Sequence, residues 1–226
     1  MSSSNLGYYD NRMTGRSYEH YCAIAKALDL IGERWTLLIV RELLDGPKRY
    51  TDLLSGIPGI ATDMLAARLK SLEESELVER RTLPPPAAST VYELTPHGRK
   101  LESTMRELAI FGASFLERRK GEAFRIQWLS FPLRMMFRPE RAAGTTLTIQ
   151  FESGGEVMHV RVADGAIETN LGAAESPDVV VAGDIATLAL AARDRAAAKD
   201  AAARGKLRLT GTKEAIGRYA DIFGLR

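Results

Sequence analysis

The sequence predicts two domains, a mainly α N-terminal domain with one two-stranded ribbon and an α+β C-terminal domain. Three observations predict this. From Tyr21 to Leu116 apolar residues recur at helical spacing, broken only by a proline-rich stretch and one alternating run. Residues 117–123 are charged and carry a glycine, as a linker does. Beyond them short alternating runs are separated by Gly154-Gly155 and Asp164-Gly165, which is hairpin turn chemistry. The expected layout is a flexible polar arm at 1–18, a first domain at 19–121 and a second at 122–226.

In the first domain, Ile24, Leu28 and Ile31 form one apolar stripe on a short helix over 22–31. A second helix over 34–44 carries Trp35, Leu38, Ile39 and Leu43 on one face, with Arg34, Arg41 and Glu42 largely off it. Gly46-Pro47 ends it, because proline cannot continue a helix. A third helix over 51–55 buries Leu53 and Leu54, and residues 56–59 turn tightly. The fourth, over 62–75, places Leu65, Leu69 and Leu72 at i, i+4 and i+7, facing the core. Its opposite face then shows Thr62, Asp63, Ala66, Ala67 and Lys70, with Arg68 on the flank. Leu77, Val78 and Arg80 begin an extended segment, residues 84–86 are prolines, and residues 90–94 alternate as the return strand. Thr95-Pro96 caps a long helix over 97–118, striped by Leu101, Met105, Leu108, Gly112 and Phe115. That stripe can pack inside the chain or against a second copy.

Three short helices, a polar-faced fourth and a ribbon make a winged helix-turn-helix, whose fourth helix is of a size to enter the major groove of double-stranded DNA. Small and polar residues at its start can approach base edges, while Arg68 and Lys70 can reach phosphates. Bulk charge does not argue for this partner. There are 17 basic against 16 acidic residues through residue 121 and 14 against 13 after it. Locally the balance tilts, with Lys48, Arg49, Arg68 and Lys70 against Asp52 and Asp63, and with Arg80 and Arg81 at the ribbon. Moderate affinity with strong salt dependence follows.

Particular wording narrows the reading. Cys22-Ala-Ile-Ala-Lys-Ala-Leu-Asp-Leu-Ile-Gly-Glu-Arg-Trp-Thr-Leu-Leu-Ile-Val-Arg-Glu-Leu is followed by Gly46-Pro47-Lys48-Arg49-Tyr50-Thr51-Asp52-Leu53. Then come Ile57-Pro58-Gly59-Ile60, Leu65-Ala-Ala-Arg-Leu-Lys-Ser-Leu-Glu, Leu77-Val78-Glu79-Arg80 and Tyr92-Glu-Leu-Thr-Pro-His-Gly98. Over residues 20–117 this closely resembles the HxlR family of winged helix-turn-helix transcriptional regulators. The resemblance implies a homodimer reading a pseudo-palindromic operator. Thr62, Asp63, Ala66, Arg68 and Lys70 would be recognition-helix residues, and Lys48, Arg49, Tyr50 and Thr51 would contact the backbone. The chain departs from the pattern at the wing, where residues 83–89 carry no charge, so wing contacts rest on Arg80 and Arg81. In some members of the family a cysteine at the position of Cys22 senses oxidants. The residues themselves favour a small buried side chain there, with Lys26 one turn away as the only reason for a lowered thiol pKa.

In the second half, residues 124–138 are apolar nearly all round, and Pro132 should kink a helix there. Strands follow, with Leu147, Ile149 and Phe151 and then Met158, Val160 and Val162 facing inward. Asp184 and Thr212 cap later helices. The run Pro177-Asp178-Val-Val-Val-Ala-Gly183-Asp184, with Gly205-Lys-Leu-Arg-Leu-Thr-Gly211, resembles sterol-carrier-protein-like domains. The resemblance implies an apolar tunnel for a small molecule, with Trp128, Phe131, Met135 and Met136 as lining residues or simply as core.

Catalysis finds no support. His20, His97 and His159 lie far apart, and there is no metal-ligand spacing, nucleophile–base motif or glycine-rich phosphate loop. No enzyme, cofactor or metal is expected. The single Cys22 precludes an intramolecular disulfide, the first residues lack an apolar signal core, and no stretch nears the roughly 20 apolar residues of a membrane span. A cytoplasmic protein without membrane insertion is expected. The second function class is a lipid or apolar-ligand binding protein that uses its N-terminal half mainly to dimerise.

Overall fold

The computed structural model describes residues 17–86, 88–116, 121–191 and 195–225. The expected arm, through residue 16, and residues 117–120 of the expected linker lie outside the described residues. The chain divides into two compact units, one through Leu108 and one from Ala109.

The first unit runs α1 (Ala23–Ile31), α2 (Thr36–Leu44), α3 (Tyr50–Gly56), α4 (Thr62–Glu74), β1 (Val78–Thr82), β2 (Thr90–Leu94) and into α5 (Leu101–Ala113). Ile39, Leu43, Leu53, Ile57, Leu65, Leu69 and Leu72 are fully buried and make its core. The leucine stripe of α4 faces inward as its spacing predicts. The stripe of α1 does not. Ile31 is buried with Ala25, while Ile24 and Leu28 stay exposed, because nothing among the described residues covers that side of so short a helix. Glu42 also departs from expectation, being buried with its carboxylate 2.8 Å from the Arg41 guanidinium.

β1 and β2 pair antiparallel from Val78↔Leu94 to Thr82↔Thr90. Lys48 extends this ribbon, exchanging both backbone hydrogen bonds with Tyr92 (3.0 and 2.8 Å). After β2 the Thr95 hydroxyl accepts from the Gly98 backbone N–H at 3.0 Å and donates to the Glu76 carbonyl at 2.7 Å, which is the expected cap. A 3-10 turn (Gly98–Lys100) precedes α5, so the helix is shorter than the expected 97–118. A Cβ at Gly98 would sit 2.0 Å from the Leu77 carbonyl oxygen, a contact only glycine permits.

The second unit holds α6 (Ser130–Met136), α7 (Pro139–Ala142), β3 (Thr146–Ser153), β4 (Glu156–Ala163), β5 (Ala166–Leu171), β6 (Val179–Gly183), α8 (Ile185–Ala191), α9 (Arg195–Ala203), β7 (Leu207–Gly211) and α10 (Lys213–Ile222). The sheet order is β5-β4-β3-β6-β7, with β3 and β6 parallel and the other pairs antiparallel. The left-handed turns at Gly154-Gly155 and Asp164-Gly165 close the two hairpins. Asp184 accepts from the Thr187 N–H at 3.0 Å, and Thr212 accepts from the Ala215 N–H at 3.1 Å, so both expected caps form. Leu147, Ile149, Phe151, Val160, Val162, Val179 and Val181 bury against the helices in one core.

The expected kinked helix over 124–138 is instead a 3-10 turn (Ile126–Leu129) followed by α6. Pro132 falls in the first turn of α6, where its missing N–H has no intrahelical partner to lose. It accommodates a helix start rather than bending a helix.

Candidate nucleic-acid interface and apolar cavity

With Leu65, Leu69 and Leu72 buried, α4 turns Thr62, Asp63, Ala66, Ala67 and Lys70 outward, and all five are exposed. The turn before it is built on Ile57 and Ile60, both buried, around a left-handed Gly59. The Tyr50 hydroxyl donates to the Thr62 carbonyl at 2.6 Å, tying the start of α3 to the start of α4. Tyr50 therefore spends its hydroxyl inside the unit. Thr51 is exposed, and the Arg49 backbone N–H is held by the Asp52 carboxylate at 3.1 Å. The Arg49 side chain donates from Nε to Ser89 at 3.2 Å, beside the ribbon. Since the Lys48 backbone pairs with β2, the start of α3, the start of α4 and the ribbon form one continuous surface.

Two of the expected phosphate-binding cations are engaged elsewhere. Arg68 is 22% exposed and its Nη2 lies 3.2 Å from the Glu33 carboxylate, while its Nε is buried with no partner among the described residues. It ties α4 to the turn between α1 and α2 rather than standing free on the flank. Arg81 makes a bidentate pair with Glu93, with Nη2 to Oε2 at 3.2 Å. Lys70 is exposed, with Glu74 at a distant 3.8 Å. Arg80 is exposed and Lys48 half-buried. Lys48, Arg49, Lys70 and Arg80 are thus the more available cations. The spacing of Glu33 and Arg68 along the chain carried no signal of their contact.

Hydrogen bonding from Arg81 holds the Glu93 carboxyl below the usual carboxylate range, against the opposing effect of burial. A lowered folded-state pKa contributes stability that is present above the unfolded value and lost as pH falls through the folded one. The melting temperature of Glu93→Gln should therefore lie below that of the parent near pH 7, with the gap closing towards pH 3. A gap that is constant over that range would show that the pair contributes nothing.

Cys22 is exposed rather than buried, and it stands at the N-cap of α1. Hydrogen bonding from the backbone of Ala25 and then Ile24 lowers its thiol pKa. Alkylation by iodoacetamide across pH should accordingly show a midpoint below that of an unstructured cysteine peptide. A coincident midpoint would mean that the cap does not favour the thiolate.

In the second unit, α6, α8, α9, α10 and the sheet enclose a cavity of about 270 Å³. Of the four residues expected to line it, only Met136 does; Trp128, Phe131 and Met135 do not. The lining comes from Leu129, Pro132, Leu133 and Met136, one helical face, and the other three residues fall one position out of phase with it. Trp128 instead meets Phe124 edge-on at 5.9 Å, and Phe131 is buried. Residues missed by sequence reasoning are those from α8 to α10, among them Leu188, Ala198, Lys199 and Tyr219. The alanines of α9 were the available signal, since small side chains leave room.

Among the described residues no helix is long and apolar enough to cross a membrane, and no group of three or more His, Cys, Asp or Glu side chains could hold a metal ion.

A family model described as HxlR-like helix-turn-helix matches residues 30–120. The HTH-type transcriptional regulator YodB of Bacillus subtilis (strain 168) is 42% identical over 91 residues, which cover 40% of this chain and 81% of that protein. The uncharacterized HTH-type transcriptional regulator YvaP of the same strain is 30% identical over 92 residues, covering 41% of this chain and 85% of that one. The solved structure of the reduced form of YodB from B. subtilis matches at 39% identity over 43% of this chain and 97% of its own, with a TM-score of 0.38. These relatives are transcriptional regulators, which are not enzymes. On the match to YodB and on the family model, the chain belongs to the HxlR-like helix-turn-helix family of transcriptional regulators.

Proposed function

We propose that this chain is a homodimeric regulator that reads a pseudo-palindromic operator, and that an apolar small molecule in its C-terminal domain modulates it. The observation that carries the reading is the outer side of α4, where small and polar residues stand exposed beside Lys48 and Arg49. In this arrangement Thr62, Asp63 and Ala66 approach base edges, and Lys48, Arg49, Thr51, Lys70 and Arg80 bind phosphates. Arg68 acts as an anchor for α4. The exposed apolar residues Leu108 and Phe111 of α5 and, separately, Ile24 and Leu28 of α1 support the dimer. A two-fold dimer would set half-sites about one helical turn apart, on the order of 34–36 Å.

The C-terminal domain is read as sterol-carrier-protein-like, and its cavity supports an effector role. Regulation requires that the effector bind the DNA-competent and DNA-incompetent states with different affinity. Cys22 adds a second input, an exposed thiol beside the proposed dimer face whose oxidation would alter it.

Selection of genomic DNA fragments by the purified protein tests the reading, followed by a salt titration on the best fragment. With eight available cations per dimer, the log–log slope of affinity against salt should be about −7. If no duplex is enriched, and Lys70→Ala with Arg80→Ala changes nothing measurable, the rival reading stands. That rival is an apolar-ligand binding protein whose N-terminal half serves to dimerise, and the cavity is the observation in its favour.

A further inference from the structure

The cavity of the second unit carries chemistry that an apolar lining does not explain. A cavity of about 150 Å³ takes up one benzene. At about 270 Å³, this one has room for roughly ten to thirteen non-hydrogen atoms on the same scale. A sterol or a long acyl chain would have to extend out through the cavity's mouth.

Two polar groups stand among the lining residues. Tyr219 is 7% exposed, and its ring is fixed against Phe223 at 5.4 Å and Phe151 at 6.3 Å between centroids. Its hydroxyl makes no hydrogen bond among the described residues. The hydroxyl is not sealed from solvent, so a ligand oxygen can take the place of water as its acceptor. Burial also raises the phenol pKa, so the group remains a hydrogen-bond donor at neutral pH. Lys199 of α9 is the only charged residue lining the cavity among the described residues, and it is exposed. Its neighbour Asp200 is taken up by Arg204 at 2.9 Å. Lys199 can therefore lay its methylenes along the apolar wall and keep its ammonium at the mouth. Among the described residues no carboxylate lines the cavity to attract a cation.

We propose that this cavity takes a compact monoanionic organic acid, with its apolar body against Leu129, Met136, Leu188 and Ile216, its charge beside Lys199 and an oxygen accepting from Tyr219. The proposal rests on the effector-binding reading of the C-terminal domain and names the ligand class for it.

Calorimetric titration of the full chain, without DNA, tests it with four probes: 2-naphthoate, 2-naphthalenemethanol, 2-naphthylmethylammonium and palmitate. One 2-naphthoate should bind per protomer, at least ten-fold tighter than the ammonium and tighter than palmitate. Lys199→Glu should invert the preference between acid and ammonium. Tyr219→Phe should weaken 2-naphthoate by about five-fold, while the unliganded variant melts no lower than the parent. Equal binding of the three naphthalene compounds, or palmitate binding tightest, would overturn the acid class and leave the effector reading standing. Unchanged 2-naphthoate affinity in both variants would also overturn it. If none of the four binds, the effector reading falls with the proposal.

Discussion

Replacing Ala66 by Glu is expected to weaken DNA binding by roughly 100-fold without measurable loss of fold stability. Ala66 lies on the exposed side of α4 between Thr62 and Lys70, at i+4 and i−4. Glu is nearly as good a helix former as Ala, and the position is open to water, so the change costs the fold only tenths of a kcal/mol. Against a duplex the same side chain would bring an unpaired carboxylate between base edges and phosphates. An uncompensated charge of that kind costs about 3 kcal/mol, which is the factor of 100. Ala66→Gln separates charge from bulk and should recover part of the loss. Melting curves and anisotropy titrations on one selected duplex read both quantities. Undiminished affinity in the Glu variant would mean that α4 does not enter a groove.

The second large effect is expected at Phe111. In the single chain Phe111 is 66% exposed, Phe115 70% and Leu108 45%, and the two phenylalanine rings meet at a tilt with their centroids 5.4 Å apart. Burying one phenylalanine is worth about 1.5–3 kcal/mol. A two-fold interface uses each residue twice, so Phe111→Glu should raise the dimer dissociation constant by at least about 100-fold. Light scattering across a concentration series should show a monomer where the parent is dimeric, with the melting temperature of the dilute protein unchanged. A Phe111→Glu protein that remains dimeric at the same concentrations would place the self-association surface elsewhere. Affinity for a palindromic site should fall with dimerisation, whereas a half-site should be bound as before.

How legible these features were in the sequence depends on how one-sided each element is. Helix α4 buries one face only, so the period of Leu65, Leu69 and Leu72 gave both its orientation and its exposed side. Residues 124–138 are apolar nearly all round, and such a segment carries little phase. The choice between the Leu129–Leu133–Met136 face and the Trp128–Phe131–Met135 face was made by packing against α8 to α10. The caps at Thr95, Asp184 and Thr212 were legible because a cap is a local bond within three residues. The Glu33–Arg68 and Arg81–Glu93 pairs are tertiary, and no local pattern announces which cation will be neutralised. The exposure of Ile24 and Leu28 was hidden for a related reason. Periodicity reports that a face is apolar, not whether the same molecule covers it.

Gly98 has a consequence at a distance. Because its α-carbon lies against the Leu77 carbonyl, the path from β2 into α5 is set by main-chain contact and not by side-chain packing. In a dimer assembled through α5, that joint acts as the bracket holding each reading head at its separation from the other. The tolerated gap between operator halves would then be governed by a residue outside the proposed reading surface and the proposed dimer face.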